Sequence, residues 1–105
     1  MYWTEDRRRF KRLVEALSGR ADAQAEVEMG APLDPRLEAS LVDVMAGEEQ
    51  LGLETLCVNA LDYRVRLTDE EYAVITDLAR RWDLDLRAIG DLNRLVILDD
   101  ASERS

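Results

Sequence analysis

Apolar residues recur at intervals of three and four along most of this chain, the spacing that gathers them on one side of an α-helix. Phe10, Leu13, Val14 and Leu17 form the first such stripe, with Trp3 in phase. Thr4 is placed to cap that helix, Glu5 and Asp6 fall where the macrodipole favours negative charge, and Gly19 suits a left-handed stop. Arg8, Lys11 and Arg12 occupy the opposite side. Residues 20–31 are rich in Ala and Glu without a clear apolar stripe, and read as a loose connection of at most two or three helical turns. Asp34-Pro35 predicts the next start, an acidic cap followed by proline at the first position, where a missing N–H costs nothing. Leu37, Leu41, Val44 and Met45 then supply an apolar face that Gly47 ends.

The segment from Glu48 to Tyr63 has a different pattern. At 100° per residue, Leu51, Leu53, Leu56, Cys57, Val58, Ala60, Leu61 and Tyr63 cover about two thirds of the helix circumference. Only Glu48, Gly52, Thr55, Asn59 and Asp62 are left as a polar stripe. A helix this apolar has to be wrapped by others, which predicts that it is central. In Leu67-Thr68-Asp69-Glu70-Glu71-Tyr72, Thr68 and Glu71 form a capping box, with Leu67 and Tyr72 at the hydrophobic-staple positions. Tyr72, Ile75, Leu78, Ala79 and Trp82 follow as a buried stripe. Asp69, Thr76, Asp77, Arg80 and Arg81 are expected to face water, with Asp77 spaced for pairing to the two arginines. A shorter last helix is expected from Asp85 through Ile89, Leu92 and Leu95. Gly90 weakens it, and Leu95–Leu98 reads equally as an extended strand. The pattern as a whole predicts an all-α fold, a compact bundle of four or five helices with the 48–63 helix at its centre. Residues 1–98 form one domain in this reading, and residues 99–105 a disordered tail.

Charge changes the picture. The 105 residues carry 14 Lys+Arg and 23 Asp+Glu, a net charge of −9. Residues 1–20 hold six basic residues against three acidic ones, a net of +3. The remainder holds eight arginines against twenty carboxylates, a net of −12. The basic helix therefore has an electrostatic partner in its own chain, and its Arg7-Arg8-Arg9-Phe10-Lys11-Arg12 run reads as a wet helix face rather than a nucleic-acid or membrane contact. A field of this overall sign repels phosphate and argues against direct nucleic-acid binding. No apolar run reaches the length of a membrane span, and Met1–Asp6 does not read as a signal peptide. One cysteine without a partner fits a reducing, cytoplasmic setting.

Chemistry narrows the reading further. Histidine is absent, which removes imidazole catalysis and the metal sites that need it. No Gly-rich phosphate loop, paired cysteines or nucleophile elbow is present. Cys57 lies on the most apolar arc of the central helix with no base to activate it, so it reads as a small buried hydrophobe. These points predict a chain that is not an enzyme and takes no cofactor or metal. They leave the acidic polar stripe as the candidate for function: Glu48, Glu49, Thr55, Asn59 and Asp62 on the central helix, with Asp69 and Glu70 opening the next one. Carboxylates held on a rigid helix have little entropy left to lose on meeting a basic partner.

Gly47-Glu48-Glu49-Gln50-Leu51-Gly52-Leu53-Glu54-Thr55-Leu56, then Leu61, then Leu67-Thr68-Asp69-Glu70-Glu71-Tyr72 with Ile75 and Leu78 resembles the small immunity proteins of bacterial polymorphic-toxin systems. The MafI-type and contact-dependent-inhibition immunity proteins are the nearest. The resemblance spans about residues 41–82, and Gly52 stands where those proteins carry a small Ala. It implies a cytoplasmic, non-catalytic protein that binds one cognate toxin C-terminal domain with a basic surface, often a nuclease, without touching nucleic acid or membrane itself. The competing expectation is an acidic helical adaptor, or a nucleic-acid-mimicking regulator of a host protein, with no toxin involved.

Overall fold

Helix starts and stops fall close to the expected residues, and local chemistry explains most of them. The structure, a computed structural model, describes residues 4–97, so the expectations for Trp3, Leu98 and the 99–105 tail lie outside the described residues. The order is α1 (Glu5–Leu17), α2 (Ala23–Met29), α3 (Asp34–Met45), α4 (Glu49–Asp62) and α5 (Asp69–Arg81), followed by two 3-10 turns, Leu86–Ala88 and Leu92–Leu95. The fold is the expected all-α bundle. Thr4 caps α1 by accepting from the Arg7 N–H at 3.1 Å, and Gly19 takes φ +81° just beyond its end. The Thr68 and Glu71 box is complete: the Glu71 N–H donates to Thr68 Oγ1 at 3.1 Å and the Thr68 N–H to Glu71 Oε1 at 2.9 Å. The 20–31 stretch holds the short α2, capped by the Asp22 carboxylate.

Asp34 does not cap its own helix. Leu33 precedes α3 in a helical conformation and is wholly buried. The chain thus enters α3 from inside the core, and the Asp34 carboxylate accepts from the Gly19 N–H at 2.9 Å. Asp34 ties the end of α1 to the start of α3.

The core joins Phe10, Leu13, Val14 and Leu17 of α1 to Leu37 and Val44 of α3, Leu53, Leu56, Cys57 and Ala60 of α4, and Ile75 and Leu78 of α5. Trp82 closes one edge, its ring 5.9 Å from that of Phe10. Tyr63, just past α4, is fully buried, and its hydroxyl donates to the Ala31 carbonyl at 3.0 Å. The linker around α2 is thereby fastened to the end of the central helix.

Two expectations are corrected here. The last element is not one α-helix. Gly90, at φ +151°, breaks it into two 3-10 turns, and only Leu92 within them is buried. The extended alternative survives as a single parallel bridge, in which the Leu67 N–H donates to the Leu95 carbonyl at 2.9 Å and the Ile97 N–H to the Leu67 carbonyl at 2.8 Å. Asp77 and Arg81 also do more than face water. Asp77 forms the expected pair with Arg80 but also accepts from Arg9 of α1 at 2.7 Å, and Arg81 reaches Asp6 at 2.8 Å.

Candidate protein-binding surface

The central helix is not wrapped all round, and of the polar stripe read from the sequence only its ends, Glu48 and Asp62, lie on its wet side. Gly52 is buried against α3: a Cβ built there would lie 2.6 Å from the Ser40 carbonyl oxygen and 2.4 Å from Val44 Cγ2. Asn59, one stripe position along, is only 6% exposed, and its amide donates to the Thr55 carbonyl at 2.8 Å. Thr55 is half-buried between them. Small side chains let two helix backbones approach closely, and an Asn that bonds its own helix leaves no polar atom unsatisfied. The Gly52–Thr55–Asn59 stripe is therefore the packing seam with α3.

The exposed arc lies roughly a quarter turn away. It carries Leu51 (47% exposed), Glu54, Val58 (40% exposed) and Asp62. These fall at i, i+3, i+7 and i+11, within about 80° of one another on the helix. Leu51 and Val58, expected in the core, are instead open apolar positions between carboxylates.

The structure divides the sequence candidates. Glu48 and Asp62 are exposed and lie about 21 Å apart along the axis. Asp69 and Glu70 are exposed in the first turn of α5. Neither these four nor Glu54 forms an ion pair with any described residue, so their charge is unspent. Glu49 is occupied, taking Arg7 of α1 at 3.1 Å. Thr55 and Asn59 belong to the seam. Leu51 and Val58 were missed because an apolar residue on a helix of this kind reads as core, and Glu54 because it falls among apolar positions, away from the polar stripe.

The basic end meets the acidic remainder only in part, since Arg8, Lys11 and Arg12 pair within α1 itself. Arg7, Arg8, Arg9, Lys11, Arg12 and Arg20 each meet a carboxylate of the same chain: Glu49, Glu5, Asp6 with Asp77, Glu15, Glu5 and Glu71 respectively. Arg20 forks onto both oxygens of Glu71 at 2.7 Å and also donates to the Arg66 carbonyl at 3.1 Å. Partial burial pushes the Glu71 carboxyl up, but the Arg20 guanidinium and the Thr68 N–H outweigh it and hold it below the usual glutamate range. Cys57 is a free, buried thiol, and desolvation, with the nearby Glu54 charge, pushes its pKa up to about 12. A thiol so poorly ionised is no nucleophile at neutral pH.

Among the described residues no group of three or more His, Cys, Asp or Glu is placed to hold a metal ion. No helix there is long and apolar enough to cross a membrane. The chain matches no family model, no curated protein and no solved structure.

Proposed function

We propose that this protein is an immunity protein, which neutralises a bacterial toxin domain by binding it through the acidic outer side of α4. The observation that supports this reading is the arc of Leu51, Glu54, Val58 and Asp62: open apolar positions interleaved with unpaired carboxylates on a helix whose other side is locked into the core. Apolar anchors supply the desolvated centre of an interface, and unpaired carboxylates speed encounter with a basic partner. The net charge of −9 adds long-range steering toward a basic surface. In this reading the protein carries out no chemistry. It acts in the cytoplasm by occupying a surface of the toxin, with no cofactor and no contact of its own with nucleic acid.

The test is growth of cells that express a toxin domain encoded beside this protein, together with Glu54→Lys/Asp62→Lys. Both changes lie on the wet side of α4, and a lysine at position 62 suits the negative end of the helix, so the fold should hold. Protection should fall, and association measured with purified proteins should slow and lose much of its salt dependence. Glu49→Lys is unsuitable, because it also breaks the bond to Arg7. Undiminished protection by the double variant would remove the acidic arc from the interface. Failure of the unaltered protein to bind or protect would remove the immunity reading itself.

A further inference from the structure

A basic groove lies on the side of this acidic chain where the Leu67–Val96 bridge joins the C-terminal segment to the bundle. Arg64, Arg66 and Arg94 line it over an apolar floor of Leu61, Leu95 and Val96, and among the described residues no carboxylate contributes to the lining. The eight arginines of residues 21–105 are outnumbered by twenty carboxylates, so three arginines on one groove, two of them without an ion pair to any described residue, are a departure from that balance.

The backbone fixes two of the three. Arg66 lies between Val65 and Leu67, both fully buried, so the extended chain turns its side chain outward. Its own carbonyl is held by Arg20, and Leu67 beside it makes both bonds of the bridge. Arg94 projects from the 3-10 turn that buried Leu92 anchors. Arg64 takes φ +51° at the turn out of α4, and it is partly neutralised by Asp22 at 3.3 Å and Glu28 at 3.4 Å. Arg66 and Arg94 make no ion pair with any described residue. Neighbouring guanidinium groups without a counter-charge repel, and a planar fork of donors is suited to an oxyanion. The groove encloses about 370 Å³, within the usual range for sites that take small organic molecules.

We propose that this groove is a binding site for a small organic oxyanion. A phosphate or carboxylate group would be held by Arg66 and Arg94 with Arg64 at the side, and the organic body would rest on Leu61, Leu95 and Val96. The site adjoins the C-terminal end of the acidic arc, where Leu61 precedes Asp62, but the proposal does not rest on the immunity reading.

Phenyl phosphate is a suitable probe, because it couples a dianion to a flat apolar ring. It should bind the full chain measurably by calorimetry and raise its melting temperature. Inorganic phosphate, which lacks a body to rest on the floor, should bind several-fold more weakly. Arg66→Gln/Arg94→Gln, with unchanged helicity, should lose about tenfold or more in affinity for phenyl phosphate. Arg87→Gln, an exposed change outside the groove that loses only the pair to Asp85, should not lower that affinity. Equal binding by the Arg66/Arg94 and Arg87 variants, or none by the unaltered chain, would overturn the site. Asp99 and Asp100 follow closely in the sequence, so Asp99→Asn/Asp100→Asn is a needed third variant. Binding that appears only in that variant would make the chain's own end the occupant and overturn the proposal of an outside ligand.

Discussion

Gly52→Ala separates a helix facing a close neighbour from a helix facing water, because the two cases predict opposite signs. On an exposed helix the change would stabilise by about 1 kcal/mol, the helix propensity gained over glycine. Here the added methyl would meet Val44 Cγ2 at 2.4 Å, the Ser40 carbonyl oxygen at 2.6 Å and the Val44 nitrogen at 3.1 Å. Two of these three atoms are backbone and cannot swing aside, and Val44 is itself fully buried. Ordinary contact begins near 3.4 Å, so α3 and α4 must part by about 1 Å along their seam. A gap of that size forfeits roughly a quarter to a half of the dispersion attraction of each contact it opens. With overpacking at the upper end of its usual cost, about 3 kcal/mol, the net loss is about 2 kcal/mol after the propensity gain. For a domain of this size the melting temperature should fall by roughly 8–16 °C. Thermal and urea unfolding followed by circular dichroism at 222 nm would measure it. Adding Val44→Ala should not restore the loss, since the Ser40 carbonyl stays in place and a cavity is opened beside it. A variant that melts at or above the unaltered protein would refute the close seam and with it the assignment of the wet side of α4.

Four further outcomes follow from the packing and the charges. Thr68→Ala should cost about 1 kcal/mol in urea unfolding, because the α5 cap and half of its box are lost. Leu56→Ala, at a position with no exposure, should cost roughly 2–5 kcal/mol in the same assay. Glu71 has a lowered folded pKa, so its stabilising contribution is present above the ordinary glutamate value of 4.5 and is lost as pH falls through the lower value. Glu71→Gln should thus flatten the acid side of a stability–pH profile below pH 4.5, and an unaltered profile would show that the Arg20 pair is not felt. Cys57 should react with a thiol reagent only on unfolding, consistent with its burial, and rapid labelling of the native protein would remove it from the core.

What the sequence revealed depended on how far apart the deciding residues lie. The Thr68–Glu71 box, the Thr4 cap and the α1 stripe are complete within a few positions, so the chain alone suffices to read them. The electrostatic attachment of α1 was legible too, since a block at +3 beside a remainder at −12 has one obvious destination. The wet side of α4 was not legible. Gly, Thr and Asn at helical spacing look the same whether they face water or a helix close by, and only Ser40 and Val44 across the seam decide between them. Asp34 misled for a similar reason: its helix start is ordinary, but Leu33 before it is drawn into the core. The arginine groove was further out of reach, because Arg94 joins Arg64 and Arg66 only through the Leu67–Val96 bridge, a contact no local pattern announces.

The division of α4 into a locked side and an open side has a consequence for how such a chain can change over generations. Gly52, Leu53, Leu56 and Asn59 are held by neighbours on every side and tolerate little substitution. Leu51, Glu54, Val58 and Asp62 touch water, where exchanges usually alter stability by no more than about 0.5 kcal/mol. One helix thereby carries both poorly and readily replaceable positions, interleaved along the same turns. A lineage can rewrite the outward residues to follow a changing partner while the inward ones go on specifying the same bundle.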